Sequence, residues 1–371
     1  MIPTCELLET EHALAAAVGR LSAAAWLAVD TEFMRVSTYY PELCLVQIAT
    51  ADELVCVDTL AIHDPAALYR LLEDPGREKL LHAGRQDLEV MLLNGGQLPA
   101  PVFDTQIAAA LLGYPDQVSY AWLVEKFCGV VLDKSMTRTD WKRRPLSPAQ
   151  VRYAAMDCWY LGTIAGVLKE ELAAHGKLAW CEEECARLLR AGSYRADPEL
   201  AWQRVKGAGQ LPSARLSALV RLAAWRERLA QAANRPRGWI LKDEVLVGLV
   251  REAPPTRAAI ADLPGMAPAF ARRHADIVLE LLHDPAETAV AAFDALPRRL
   301  TPEEAKCVDR LMAHVQSQAA ALRIAAPLIA TRKDLEAAVR GRTNLRIFEG
   351  WRAGILADTL RAELPAAERS A

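Results

Sequence analysis

The 371-residue sequence lacks several features that would assign it quickly. It has no apolar run long enough to cross a bilayer. The strongest early stretch, Leu14 to Val29, is Ala-rich and broken by Arg20. It has no G-x4-G-K-[ST] motif: Gly176-Lys177-Leu178 lacks both the first glycine and the Ser/Thr, which excludes a P-loop helicase. Its eight cysteines (5, 44, 56, 128, 158, 181, 185, 307) show no paired spacing. Only Cys181 and Cys185 are close, with no histidine at zinc-ligand distance beyond them. That argues against a zinc finger or a disulfide scaffold and fits a reducing cytoplasm. A basic excess is missing too, with 44 Lys+Arg against 47 Asp+Glu and a net charge of −3. A uniformly positive surface is excluded, but a local basic patch is not. Glu6, Glu9 and Glu11 are the wrong charges for a signal peptide, so a cytoplasmic protein is expected.

What is present is ordinary globular composition, 52% hydrophobic and 25% charged, at a length that suggests two or three domains. Trp26 to Phe33, Leu43 to Thr50 and Glu53 to Asp58 read as strands. Lys79 to His82 and Val102-Phe103 follow as two more. Between them, Asp64-Pro65 opens a helix through Leu72, and Asp87 to Leu93 forms another closed by Asn94-Gly95-Gly96. Three early strands and then alternating helix and strand predict a mixed α/β sheet covered by helices. Ser147-Pro148 caps a helix that could run past Leu168, and beyond it the pattern is helical throughout. Punctuation at Gly207-Ala208-Gly209 and Leu296-Pro297 predicts domains at 1–205, 211–288 and 291–371.

Four acids stand out. Asp30 and Glu32, at i and i+2 of one strand, share a face, with Thr31 pointing the other way. Two carboxylates so placed repel and are commonly stabilised by a cation, although a solvated strand end explains them equally well. Asp87 near a helix start is what the helix dipole favours in any protein. Tyr153 and Asp157, at i and i+4, share a helical face, where a packed tyrosine and a solvated aspartate would also suffice.

Together these residues resemble the DEDDy family of 3′→5′ exonucleases, and their surroundings resemble its ribonuclease D branch. Val29-Asp30-Thr31-Glu32-Phe33, Thr38-Tyr39-Tyr40-Pro41, Leu45-Val46-Gln47-Ile48 and His82-Ala83-Gly84 carry the resemblance. So do Phe103-Asp104-Thr105-Gln106, Leu132-Asp133-Lys134-Ser135, Arg138-Thr139-Asp140-Trp141 and Tyr153-Ala154-Ala155-Met156-Asp157. The resemblance spans about residues 20 to 170 and implies a ribonuclease H-like sheet with antiparallel early strands. It also implies two divalent ions, Mg²⁺ or Mn²⁺, as such phosphodiester hydrolysis requires. Asp30 would bridge the two. Glu32 and Asp157 would complete the water-activating site, Asp87 would hold the second ion, and Tyr153 would orient the attacking water. Asp104 reads instead as a helix cap, His82 as a packed residue, and Asp140 as a residue that supports RNA or holds its loop.

Two segments are basic. Residues 133–152 carry a net +4, with Lys134, Arg138, Lys142, Arg143 and Arg144 as candidates for phosphate contact, unless the loop is merely solvated. Residues 201–251 carry a net +7, with Arg226, Arg235 and Lys242 as candidates. There Leu222-Ala223-Ala224-Trp225-Arg226-Glu227-Arg228-Leu229-Ala230, Asn234-Arg235-Pro236, Ile240-Leu241-Lys242-Asp243 and Leu263-Pro264-Gly265-Met266 resemble an HRDC domain, a small helical bundle that commonly binds nucleic acid. The last segment reads as a diverged second copy, with Ile329 to Leu335 in the place of Trp239 to Val245. The expected whole is an α/β ribonuclease H-like exonuclease domain followed by two all-α HRDC-type bundles. It would act as a cytoplasmic monomer on single-stranded RNA 3′ ends such as those of tRNA precursors, releasing nucleoside 5′-monophosphates. A DNA 3′→5′ exonuclease, or a catalytically inactive RNA-binding protein that kept the fold, would share these features. Because the acids all precede residue 160, the helical tail is expected to be separable from the catalytic part.

Overall fold

The computed structural model describes residues 3–115, 117–133, 136, 139–285 and 300–364. They fall into two compact units. One joins residues 1–34 and 43–191 with 299–371, and the other joins 35–42 with 192–298.

The first unit is built on a six-stranded sheet of β1 (Glu6–Leu8), β2 (Trp26–Met34), β3 (Glu42–Ala49), β4 (Leu54–Val57), β5 (Glu78–Leu81) and β6 (Val102–Asp104). The spatial order is β1-β4-β3-β2-β5-β6. β3 and β4 are antiparallel, as the turn at Ala51-Asp52 requires. β1, β5 and β6 join in parallel. The short β1 is absent from the sequence reading, since three residues beside charged positions give no alternation to detect. Helices α1 (Glu11–Leu21), α2 (Ala66–Glu73), α3 (Arg85–Gly95), α4 (Thr105–Leu111), α5 (Tyr120–Cys128), α6 (Pro148–Trp159), α7 (Leu161–Ala174) and α8 (Leu178–Leu188) accompany the sheet. β3 is nearly all buried, and β4, on which α6 packs, entirely so.

Local chemistry explains the helix ends. Ser147 closes a capping box with Gln150, with Pro148 at the first helical position. Gly96, at φ 89°, ends α3. The helix begun at Pro148 does not run on unbroken: Tyr160 ends α6 and α7 starts at Leu161. A β-carbon on Gly162 would lie 2.3 Å from the Trp26 ring, so glycine there lets α7 approach β2.

The second unit holds α9 (Leu216–Ala232), α10 (Arg237–Ile240), α11 (Asp243–Glu252), α12 (Arg257–Ala261) and α13 (Pro268–His283) around Leu219, Leu222, Leu246 and Val278. Residues 192–205 belong to this unit, because Trp202, on the 3-10 turn Pro198–Arg204, is buried in its core. The loop after β2 belongs to it as well. The Asn234 side chain accepts from the N–H groups of Tyr39 and Tyr40 at 3.1 and 3.0 Å, and the Tyr39 hydroxyl donates to buried Glu227.

The final segment, α14 (Pro302–Leu322), α15 (Ala326–Ile329), α16 (Arg332–Val339) and α17 (Gly350–Glu363), repeats the helix order of α9 to α13, with the 3-10 turn Arg346–Phe348 standing for α12. It is not the separable tail the sequence suggested. The Lys177 ammonium donates to the Leu322 carbonyl at 2.8 Å, and the Trp180 and Trp351 rings stack at 4.8 Å. The fully buried Arg352 guanidinium grips the Glu184 carboxylate with two N–H groups. Arg352→Ala would leave Glu184 without its main partner in a largely dry site. Breaking such pairs costs about 3–5 kcal/mol, and this loss is expected in the urea unfolding of the full chain. Arg361→Ala, at an exposed position, is expected to change stability by less than about 0.5 kcal/mol.

Candidate active site

The catalytic candidates lie where β2 outlasts its neighbour. The pairing with β5 covers Trp26, Leu27 and Ala28, so Asp30 and Glu32 sit on the stretch beyond it. Their face looks toward α6, which packs on β2 and carries Asp157. One carboxylate oxygen each of Asp30, Glu32 and Asp157 lies within 4.8 Å of the others. Thr31 points the opposite way, as the strand period dictates, and its buried hydroxyl donates to Asp87 on α3. The fourth acid therefore reaches the site from the other face of the strand. It stands beside the three-carboxylate cluster rather than inside it.

Burial and crowding set the electrostatics. Asp30 is held well above the usual carboxylate range by burial first, then by the charges of Asp87, Asp157 and Glu32. Burial, with Asp157 and Asp87 nearby, pushes Glu32 up to about 8. Asp157 is raised to about 7 by burial, which the hydrogen bond from Tyr153 partly opposes. Asp87 rises to about 6 by burial, opposed by the Thr31 hydrogen bond. An all-oxygen donor set with this much uncompensated charge fits a hard divalent cation such as Mg²⁺ or Mn²⁺.

Residues around the acids fix their positions. Asp104 caps α4 by accepting from the N–H groups of Gln106 and Ile107, as the sequence predicts. It also accepts from those of Ala83 and Gly84, at 3.1 and 2.9 Å, and so ties down the turn that launches α3 and Asp87. His82 is packed as expected, with one ring nitrogen 2.9 Å from the Thr105 hydroxyl and the other 3.1 Å from the Val118 carbonyl. Asp140 holds its loop by accepting from the Lys142 N–H at 3.1 Å. Buried Trp141 lies beside Tyr153, ring centroids 6.4 Å apart. The sequence reading missed the supporting roles of Thr31 and Trp141. Each lies inside a quoted motif, but only spatial neighbours reveal what it supports.

The basic candidates divide. Lys134 and Arg138 lie outside the described residues. Lys142 and Arg143 are exposed, as are Arg235 and Lys242. Arg144 and Arg226 are corrected to structural residues. Arg144 clasps fully buried Asp58 at 2.6 and 2.8 Å and donates to the carbonyls of Trp141 and Cys44. Arg226 is only 1% exposed, with one guanidinium nitrogen bonded to Asp243 and the Leu241 carbonyl. The buried Arg226 guanidinium must be satisfied inside the protein, and the partly exposed Arg144 has its donors taken up by Asp58 and backbone carbonyls.

Known proteins share this combination. A family model described as a 3′-5′ exonuclease matches residues 5–173, and the HRDC domain model matches residues 215–282. The sheet, the acids and the helical bundle thus define a 3′–5′ exonuclease of ribonuclease H-like fold that carries an HRDC domain. Ribonuclease D of Acidiphilium cryptum is 39% identical over 368 residues, covering 97% of this chain and 93% of that one. Ribonuclease D of Gluconacetobacter diazotrophicus is 39% identical over 370 residues, covering 96% and 92%. The crystal structure of Escherichia coli RNase D, described as an exoribonuclease involved in structured RNA processing, superposes with a TM-score of 0.87. It is 33% identical and covers 97% of this chain and 98% of that one. The chain belongs to the ribonuclease D family of 3′→5′ exoribonucleases. Among the described residues, no helix is long and apolar enough to cross a membrane.

The raised carboxylates give a signed pH dependence. Their folded values, about 6 to 8, exceed the unfolded values near 4, so the native state binds more protons between those limits. The stabilisation is complete below about pH 4 and is lost as pH rises through the folded values. In EDTA, the melting temperature is expected to fall between pH 5.5 and 8.5. Mg²⁺ or Mn²⁺ should reverse the fall, most strongly at high pH, where metal displaces fewer protons. Calorimetric scans of wild type and Asp30→Asn check this, and a pH-independent response to metal would contradict it.

Proposed function

We propose that this chain removes nucleotides one at a time from single-stranded RNA 3′ ends, releasing nucleoside 5′-monophosphates, with tRNA precursors among its substrates. The observation that carries the reading is the meeting of Asp30, Glu32 and Asp157 beside Asp87, in a chain that matches ribonuclease D nearly end to end. We further assign the residues up to 191 to the catalytic domain rather than the 1–205 expected from sequence, since 192–205 pack with the second unit, 211–288 to the HRDC domain and 291–371 to its diverged relative, in a cytoplasmic monomer. The free state of all eight cysteines supports that compartment.

Asp30 and Glu32 hold one rigid edge of the site, because the strand fixes their backbone. Asp157 closes it from α6, and Asp87 adds charge from α3, oriented by Thr31. Two divalent ions held by these acids would supply an acidified water and charge neutralisation at the departing 3′ oxygen. Tyr153, hydrogen-bonded to Asp157 and backed by Trp141, is placed to orient that water. It need not be a strong base, because a positioned hydroxyl suffices where the water is already acidified. Lys142 and Arg143, exposed before α6, would lie against the RNA backbone.

Asp30→Asn is expected to abolish release of 5′-monophosphates from RNA oligomers while leaving RNA binding nearly intact, since phosphate contacts elsewhere supply affinity. Near-normal turnover at saturating Mg²⁺ or Mn²⁺ would sink the assignment. Protection by a blocked 3′ end but not a blocked 5′ end tests the direction, and DNA oligomers in parallel test the sugar. Tyr153→Phe should lower kcat by about 10²–10⁴-fold, with the metal concentration for half-maximal stabilisation unchanged. Loss of metal binding, or a full rate, would make the tyrosine a packing residue.

A further inference from the structure

The two helical bundles can be compared position by position, because their first helices end alike. Asn234 and Arg323, 89 residues on, both have a left-handed backbone, with φ 47° and 51°. The next residue of each, Arg235 and Ile324, donates its N–H to the carbonyl five residues back, at 3.0 Å in both. At the same offset α10 matches α15, and the cap of α11, Lys242, matches that of α16, Thr331. Trp239 therefore corresponds to Leu328, one residue from the match the sequence suggested, because helix ends fix a register that weak identity does not.

In this register the bundles differ at three nearby positions. In the second bundle each does structural work. Ile324 is buried, Leu328 is half-buried with its carbonyl bonded to Arg352 at 2.7 Å, and Thr331 caps α16 in a capping box with Asp334. In the first bundle no side chain at these positions does. Arg235 is exposed, Trp239 is 63% exposed, and Lys242 is exposed and caps nothing with its side chain. Lysine at a helix N-cap forgoes the side-chain hydrogen bond that Ser, Thr, Asp or Asn would supply there. A large indole in water forgoes burial. Departures from local preference that nothing in the fold compensates mark functional positions. The surrounding charge is also informative. Of the ten cations in 201–251, Arg204, Arg221, Arg226, Arg228 and Arg237 are held in ion pairs. Among the described residues, Arg235 and Lys242 are in none.

We propose that Trp239, flanked by Arg235 and Lys242, is a base-stacking platform for single-stranded RNA, and that the second bundle lacks this site. The indole stacks on one unpaired base, and the two cations meet the phosphates on either side. Aromatic faces with adjacent cations are how single strands are gripped without sequence preference. The occupant is polyanionic, matching the unpaired positive charge, and planar, matching the ring. This inference rests on the RNA-directed reading above and adds to it the group that recognises the bases.

The test uses full-length protein carrying Asp30→Asn, so that RNA is bound but not cut, and measures anisotropy of labelled single-stranded RNA against salt. Trp239→Leu, the residue of the second bundle, is expected to weaken binding about 5- to 150-fold with the salt slope unchanged. Trp239→Phe keeps a ring and should recover most of the loss. Lys242→Thr should reduce the slope of log affinity against log salt by about 0.7 while raising the melting temperature, because it restores the cap. Unchanged melting of Trp239→Leu shows that the exposed ring is not needed for folding. If the parent protein binds RNA and Trp239→Leu binds as tightly, the platform is overturned and the RNA-directed reading stands. If the parent fails to bind RNA and wild type fails to cut it, the RNA-directed reading falls first.

Discussion

Mutual repulsion of carboxylates in a poorly solvated place is the constraint on which the rest of this structure depends. Asp30, Glu32 and Asp157 bring oxygens within 4.8 Å of one another, with Asp87 close by. Two unit charges about 5 Å apart repel by about 3 kcal/mol at an effective dielectric constant of 20, so this arrangement does not assemble itself. Each acid is held by an element stabilised elsewhere. β2 is fixed by its neighbours in the sheet, α6 by its capping box and its packing on β2 and β4, and α3 by the turn that Asp104 grips. That repulsion is what a bound divalent cation would relieve.

The same accounting explains the basic residues. Net positive charge along a segment is a poor guide to a phosphate surface when part of it neutralises internal acids. Arg144 pins the loop before α6 to buried Asp58, Arg226 ties α9 to Asp243, and Arg352 fastens α17 to Glu184. Each guanidinium has several donors in a fixed plane, which suits it to bridging elements. The residues left over, Arg235 and Lys242 among them, are conspicuous once these are subtracted.

Much of the catalytic part was legible in the sequence. The strand bearing Asp30 and Glu32, the Ser147-Pro148 helix start and the Asp104 cap each follow from local rules, and each stands where those rules put it. β1 was not legible, being three residues that become a strand only by pairing with β4. Nor was the grouping of residues 35–42 with the second unit, since the Tyr39 hydrogen bond to Glu227 joins positions far apart in the chain. The expected independence of the tail failed for a related reason. Trp351 and Arg352 look like ordinary helix residues until Trp180 and Glu184 are placed beside them.

The sequence by itself determined which residue types meet and in what local frame: two acids on one strand face, a tyrosine and an aspartate on one helix face, glycine and proline at the ends. Those follow from the periods of strand and helix, which act over a few residues. Only the tertiary structure decided that Asp87 enters from the opposite face of β2, that Thr31 receives it, and that Arg144 and Arg226 are structural. Burial and long-range pairing are properties of the packed chain, and a side chain's charge acquires its function only when its surroundings are fixed.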